Sequence, residues 1–252
     1  MPLYETESLV LKSYNLAEAD RIVVLFTRDH GLVRGVAKGA KRLKSRFGST
    51  LEIFSTVQLS YFQKEERELV SIQNVELIDS SFAEASNPAF LETFSYIADL
   101  ICEFAPPHDP SEKLYRMTKA CLEAAKNDLG SLVCFRLYFE LWLVRLAGYL
   151  PNWSKCDNCQ RVFDINETAN MQAHQQLSCQ SCAKARGTQI GQVEREIFHN
   201  VQKLAPTAFS EFARDKQEPV EAVSRAMRAI IAKVLGRESI GWITSRAVNG
   251  TK

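Results

Sequence analysis

The sequence has no run suited to holding it in a membrane. Its most apolar stretch, Leu137 to Leu150, is interrupted by Glu140 and Arg145 and falls short of the roughly 20 apolar residues a spanning helix needs. The opening MPLYETESLV places acids where a signal peptide carries a basic region, so the chain reads as a soluble, unexported protein. Global charge is missing too: 31 Lys and Arg stand against 30 Asp and Glu, and any affinity for a polyanion must come from where the charges sit. There is no G-x-x-x-x-G-K-[ST] loop to cradle phosphates, and no internal repeat. The four histidines, His30, His108, His174 and His199, are scattered, and no nucleophile is spaced with a base in a known catalytic pattern. These absences argue against a hydrolase or nucleotide-driven enzyme. The expectation is a binding protein.

What is present is unevenly placed. Residues 1–80 hold eleven charges of each sign, residues 81–150 six basic against nine acidic, and residues 151–252 fourteen basic against ten acidic. No acid occurs between Asp29 and Glu52, and the segment RGVAKGAKRLKSRFGST at 34–50 carries Arg34, Lys38, Lys41, Arg42, Lys44 and Arg46. Cations so crowded repel one another, and a polyanion would relieve that repulsion. Nucleic acid is the leading ligand; a merely solvated loop is the alternative. Phe47, Phe54 and Tyr61 lie near enough in sequence to stack on bases, or else to fill a core.

The first 80 residues have the short period of strands. Tyr4–Tyr14, Arg21–Thr27, Leu32–Ala37, Leu51–Phe62 and Leu69–Ile78 read as five, with polar connections at 28–31 and 63–66. Five short strands with the basic segment between the third and fourth suggest a small closed barrel of the OB type, an SH3-like barrel fitting almost as well. Arg34 and Lys38 then fall at a strand end and Lys41 to Arg46 on the loop after it.

Past Ser80 the period becomes helical. Asn87-Pro88 caps a helix that Pro106-Pro107 stops, and Asp109-Pro110 opens another that ends by Gly130. Leu132 to Ala147 is apolar nearly all round, as a helix at the centre of a core would be, with Arg136 and Glu140 spaced to pair at i, i+4. Cys102, Cys121 and Cys134 read as small core residues. Val193, Ile197, Val201 and Leu204 share one later face, with Pro206 as its stop. A last helix turns Val220, Val223, Met227, Ile230, Ile231 and Val234 inward and Arg225, Arg228 and Lys233 outward.

Seven cysteines, four of them in two C-x-x-C pairs, are unlike a secreted disulfide framework. Cys156 and Cys159 are separated by nineteen residues from Cys179 and Cys182, a spacing at which two knuckles complete a closed tetrahedral zinc site. A redox dithiol or an iron–sulfur cluster are the other chemistries such pairs serve, and His174 lies between the knuckles as a possible substitute ligand. The intervening residues, Gln160 to Ser178, are too polar for a core, so a structural metal would supply the folding free energy.

Four stretches together resemble the bacterial RecO family of recombinational repair proteins: YETESLVLKSY with EADRIVVLFT, GLVRGVAKGAKR, FELWLVRLAGYLP, and the CDNC and CQSC knuckles. The resemblance covers essentially the whole chain. It implies an α+β protein, with an OB-fold over 1–80 that binds single- and double-stranded DNA. A helical domain over 81–252 would follow, with the zinc-binding element inserted at 153–188. It implies that Arg34 to Arg46 are DNA contacts. It implies a cytoplasmic, nucleoid-associated bacterial protein that anneals complementary strands, binds the acidic tail of single-stranded DNA-binding protein, and works with RecR to load RecA. The tail would enter an apolar groove of the helical domain beside a cation such as Arg136 or Arg145. The reading set against it is a zinc-ribbon protein that binds RNA or serves transcription.

Overall fold

The computed structural model describes residues 2–16, 18–63, 68–107, 109–183 and 187–237. Most of the turn expected at 63–66, His108 and the last residues of the chain lie outside these. By compactness the chain divides into two units, Met1–Leu129 and Gly130–Lys252.

The first unit is built on five strands: β1 (Leu3–Asn15), β2 (Arg21–Thr27), β3 (Gly31–Ala37), β4 (Thr56–Phe62) and β5 (Val70–Asp79). They close in the order β1-β2-β3-β5-β4. β1 makes closure possible because its thirteen residues serve two neighbours. Leu3–Leu9 pair with β4, and Ser8–Asn15 pair with β2 on both sides of a bulge between Val10 and Lys12 that bends the strand. The last gap is closed by a short parallel contact, Gly35 with Val70 and Val36 with Ser71. Val10, Val23, Leu25, Val33, Val57, Leu59, Tyr61 and Ile72 fill the interior. The fourth strand begins later than its alternation suggests, because 51–54 form turns that carry Leu51 and Phe54 into buried positions.

β2 is a continuous apolar run because both of its faces are covered. Val23 and Leu25 point into the barrel, while Phe26, on the other face, meets the ring of Tyr115 at 5.6 Å. Tyr115 belongs to α3 (Glu112–Asn127), which follows α1 (Phe82–Ala85) and α2 (Pro88–Phe104). Asn87 starts α2 as the Asn-Pro pair predicts, its side chain accepting from the N–H groups of Ala89 and Phe90 at 2.9 and 3.3 Å. Phe90 and Phe94 pack on Phe54. Lys12 pairs with Asp99, and Lys119 reaches Glu7 at 2.7 Å and Lys126 reaches Asp79 at 2.6 Å. The strand-to-helix change thus falls near residue 80, but the compact unit runs on to Leu129. Two helices that the sequence groups with the helical domain lie on the barrel, whose outer apolar residues need them.

The second unit centres on α4 (Leu132–Leu146), buried on most sides, and α7 (Gln217–Val234), with α5 (Gln192–Val201) and α6 (Pro206–Ala213) around them. Arg136 does not pair with Glu140. It pairs with Glu221 on α7, while buried Glu140 accepts from Ser224 and lies 3.8 Å from Arg228. Arg228 is therefore not the outward cation its helical position suggests. α6 has no counterpart in the sequence pattern, where Pro206 reads only as a stop; the proline in fact opens it at the first turn. On α5 the buried face holds Arg195, Ile197, Phe198 and Val201, and Val193 is exposed.

The cysteine element carries a three-stranded sheet of β6 (Ala169–Met171), β7 (Leu177–Ser178) and β8 (Gln189–Ile190), with β6 in the middle. Phe163, Ala169, Leu177 and Ile190 are buried in it, so Gln160–Ser178 is less polar in effect than in composition. Trp153 stacks on Phe198 at 4.3 Å and donates to Gln175 O at 2.9 Å, fastening the element to α5. Arg195 adds three hydrogen bonds, to the carbonyls of Asp164, Ile165 and Glu167.

Candidate nucleic-acid interface and metal centre

β3 ends at Ala37, and residues 38–55 reach β4 through a chain of turns. The inner side of this loop is pinned. Gly39 N–H donates to the Asp20 carboxylate at 2.8 Å, Lys41 N–H to Ala19 O at 2.9 Å, and the Arg46 guanidinium to Ile72 O at 3.3 Å. Phe47 and Leu51 drop into the barrel core, 1% and 2% exposed. Phe47 is therefore not free to stack on bases, and Phe54 and Tyr61 are equally buried. The Arg46 guanidinium lies 4.9 Å over the Phe47 ring, so the charged group itself caps the buried ring while the residue stays exposed on its outer side.

All six cations singled out by sequence are on the exposed side: Arg34 on β3, Lys38 at its exit, and Lys41, Arg42, Lys44 and Arg46 along the loop. Arg34 has an exposed partner in Glu68 at 3.5 Å, a pair of small worth in water. Among the described residues, Lys38, Arg42 and Lys44 form no ion pair. A pinned loop with no acid before Glu52 and with its cations facing water keeps a local positive field. It can bind phosphate by charge without reading base sequence.

The second site is the cysteine group. The Sγ atoms of Cys156, Cys159, Cys179 and Cys182 all lie within 4.8 Å of one another, and Cys159 Sγ to Cys179 Sγ is 3.9 Å. A tetrahedron with Zn–S bonds of about 2.3 Å has edges of about 3.8 Å, so this set is close to the size a metal ion requires. The backbone is arranged for thiolate as well. Cys179 N–H donates to Cys156 Sγ at 3.3 Å. Burial opposes ionisation of the Cys156 thiol, yet N–H groups of Cys159, Cys179 and Asn158 bring it down to about 6. Hydrogen bonding to Cys179 and Cys159 pushes the Cys182 thiol up to about 12. Four thiols this close cannot all ionise without a cation among them. His174 is not in the group; it contacts Lys233 on α7 with its backbone in the left-handed region.

Of the cations considered for a peptide tail, Arg136 is engaged by Glu221, and Arg145 lies 4.6 Å over the ring of Trp142. A cavity of about 680 Å³ instead opens between Tyr149, Leu150, His174, Ile230, Lys233 and Val234. Nothing in the amino-acid pattern marks it, since its walls come from the end of α4, the cysteine element and α7. No helix among the described residues is long and apolar enough to cross a membrane.

The family model described as Recombination protein O N terminal matches residues 1–81, and the one described as Recombination protein O C terminal matches residues 93–240. Among curated relatives, proteins named DNA repair protein RecO are similar over about two thirds of their length. The one from Koribacter versatilis is 35% identical over 163 residues, 64% of this chain and 66% of the relative. That from Syntrophotalea carbinolica is 32% identical over 164 residues, 65% and 63% of the two chains. That from Bifidobacterium animalis subsp. lactis is 38% identical over 164 residues, 63% and 66%. With a barrel carrying an outward basic loop, a helical second unit holding a four-cysteine group, and family models matching both parts, the chain belongs to the RecO family of recombination proteins.

Proposed function

We propose that the chain is a DNA-binding mediator of recombinational repair, which anneals complementary single strands and, with RecR, helps load RecA onto strands coated with single-stranded DNA-binding protein. The observation that carries this is the loop of 38–55: pinned on its inner side, free of acids to residue 51, and exposing its cations. Two strands of like charge repel, and a surface that neutralises phosphates on each lowers that repulsion without choosing a sequence. Arg34, Lys38, Lys41, Arg42, Lys44 and Arg46 are the contacts assigned to it. No covalent bond need be made or broken in annealing, and the chain is taken to act as a binder, not an enzyme.

Zinc held by Cys156, Cys159, Cys179 and Cys182 is assigned a structural role. With all four positions filled by thiolates it offers no open site for a substrate. The tail of single-stranded DNA-binding protein is assigned to the cavity rimmed by Lys233, where an apolar side chain and a carboxylate would both find partners. The RNA-binding alternative shares the barrel and the metal but draws no support from the family match; competition between structured RNA and single-stranded DNA separates the two.

The test is annealing of complementary strands coated with single-stranded DNA-binding protein, with and without its acidic tail. Annealing that depends on the tail is expected. On bare strands, four engaged phosphates predict a log–log salt slope of roughly −3. Charge reversal at Lys41, Arg42 and Lys44 should flatten it; an unchanged slope removes the loop as the site.

A further inference from the structure

Leu43 stands at the corner of the turn closed by Ser45 N–H and Arg42 O at 2.9 Å, and it is 103% exposed. No other large apolar side chain among the described residues is so bare; the next, Ile165, is 74% exposed. Its neighbours in sequence show that the loop is able to bury apolar groups, since Phe47 and Leu51 are both in the core. Single exposed leucines are common and by themselves mean little. This one differs in place: it sits between Arg42 and Lys44, at the outermost part of a turn whose base is tied to Asp20, Ala19 and Ile72.

We propose that Leu43 is a wedge that enters the stack of a DNA strand while Arg42 and Lys44 hold the phosphates on either side. The inference rests on the DNA-binding reading above and adds what the loop does to bases. Phosphate contact alone treats stacked and unstacked strands alike. An apolar side chain gains by leaving water only where a base face is open to it, and inserted aliphatic residues unstack neighbouring bases in other DNA-bound proteins. Since the aromatic residues near the loop are buried, Leu43 is the apolar group this surface presents. A strand held with bases parted is prepared to pair with its complement, which annealing requires. The wedge favours single strands over intact duplex, where stacking must first be broken.

The experiment uses the full chain with Leu43→Ala and Leu43→Trp, on a single-stranded oligonucleotide carrying 2-aminopurine, across a salt series. The expected results are a fluorescence rise on binding the unmutated chain, and for Leu43→Ala a loss of that rise with affinity about tenfold weaker and the salt slope unchanged. Leu43→Trp should keep the affinity, with its own emission quenched by the bases. Because the side chain touches nothing in the fold, thermal midpoints should coincide. If Leu43→Ala matches the unmutated chain in both rise and affinity, the wedge is overturned while DNA binding stands. If the unmutated chain binds no strand at any salt, the DNA-binding reading falls and takes the wedge with it.

Discussion

Glu7 shows how much one side chain can be asked to do. It sits on β1 and accepts from Lys119 at 2.7 Å and from Tyr115 at 3.0 Å, both on α3. Burial alone would raise its carboxyl, but these two hydrogen bonds and the Lys119 charge outweigh it and leave the group below the usual carboxylate range. A depressed carboxylate stabilises the fold at pH values above its unfolded pKa of about 4.3, and the contribution is lost as pH falls through the folded value. Glu7→Gln should therefore cost about 1–2 kcal/mol near neutrality, with the two proteins converging in acid. Urea unfolding across that pH range checks it. The same contacts hold Tyr115 in its phenol form, its ionisation pushed far up by burial and by Glu7.

At the scale of elements, the cysteine insertion carries little core of its own. Its three strands have only two to three residues each, too few to stand alone. Phe163, Leu177 and Trp153 are buried in it, and the zinc proposed for the knuckles would supply the rest. If the proposed zinc fills the knuckles, Cys156→Ser should release it, lower the thermal midpoint of the second unit and leave the barrel intact. Metal content by elemental analysis, with circular dichroism on the same samples, reads both effects. The knuckles are legible in the sequence because metal spacing is a local property; so are the Asn87 cap and the all-apolar α4. Partners across elements are not. The i, i+4 spacing of Arg136 and Glu140 is real, yet Glu221 from α7 takes the arginine. Local spacing names the neighbours on one helix and says nothing of the helix packed beside it.

For the molecule as a whole, the division at Leu129 matters more than the change from strands to helices near residue 80. The family models break between 81 and 93, where composition changes; compactness breaks where buried surface ends. Phe26, Leu9, Leu11 and Phe54 face out of the barrel and are buried because α2 and α3 cover them. A fragment of residues 1–129 is expected to unfold cooperatively and to keep the salt-dependent DNA binding assigned to the loop. A fragment of residues 1–80 would expose that apolar face and aggregate. Light scattering and thermal unfolding of the two distinguish these outcomes, and a well-behaved 1–80 fragment would show that the barrel needs no helical cover. The charge of the basic segment is legible in its residue types alone. The inward turn of Phe47 is not, because strand period stops where turns begin.

The narrow contact between β3 and β5 has a bearing on that loop. Among the described residues, only Gly35 with Val70 and Val36 with Ser71 are paired there, against seven pairs between β2 and β3. Gly35 leaves no room to reinforce it, since a methyl group at that position would come within 2.7 Å of Ile72 Cγ1. The barrel thus has a seam, and local opening should start along it rather than through the long antiparallel pairs. Arg34 and Lys38 stand on the strand that borders this seam and at its exit. A polyanion gripping them would tie down the part of the barrel with fewest bonds of its own, so that ligand and fold share one weak line.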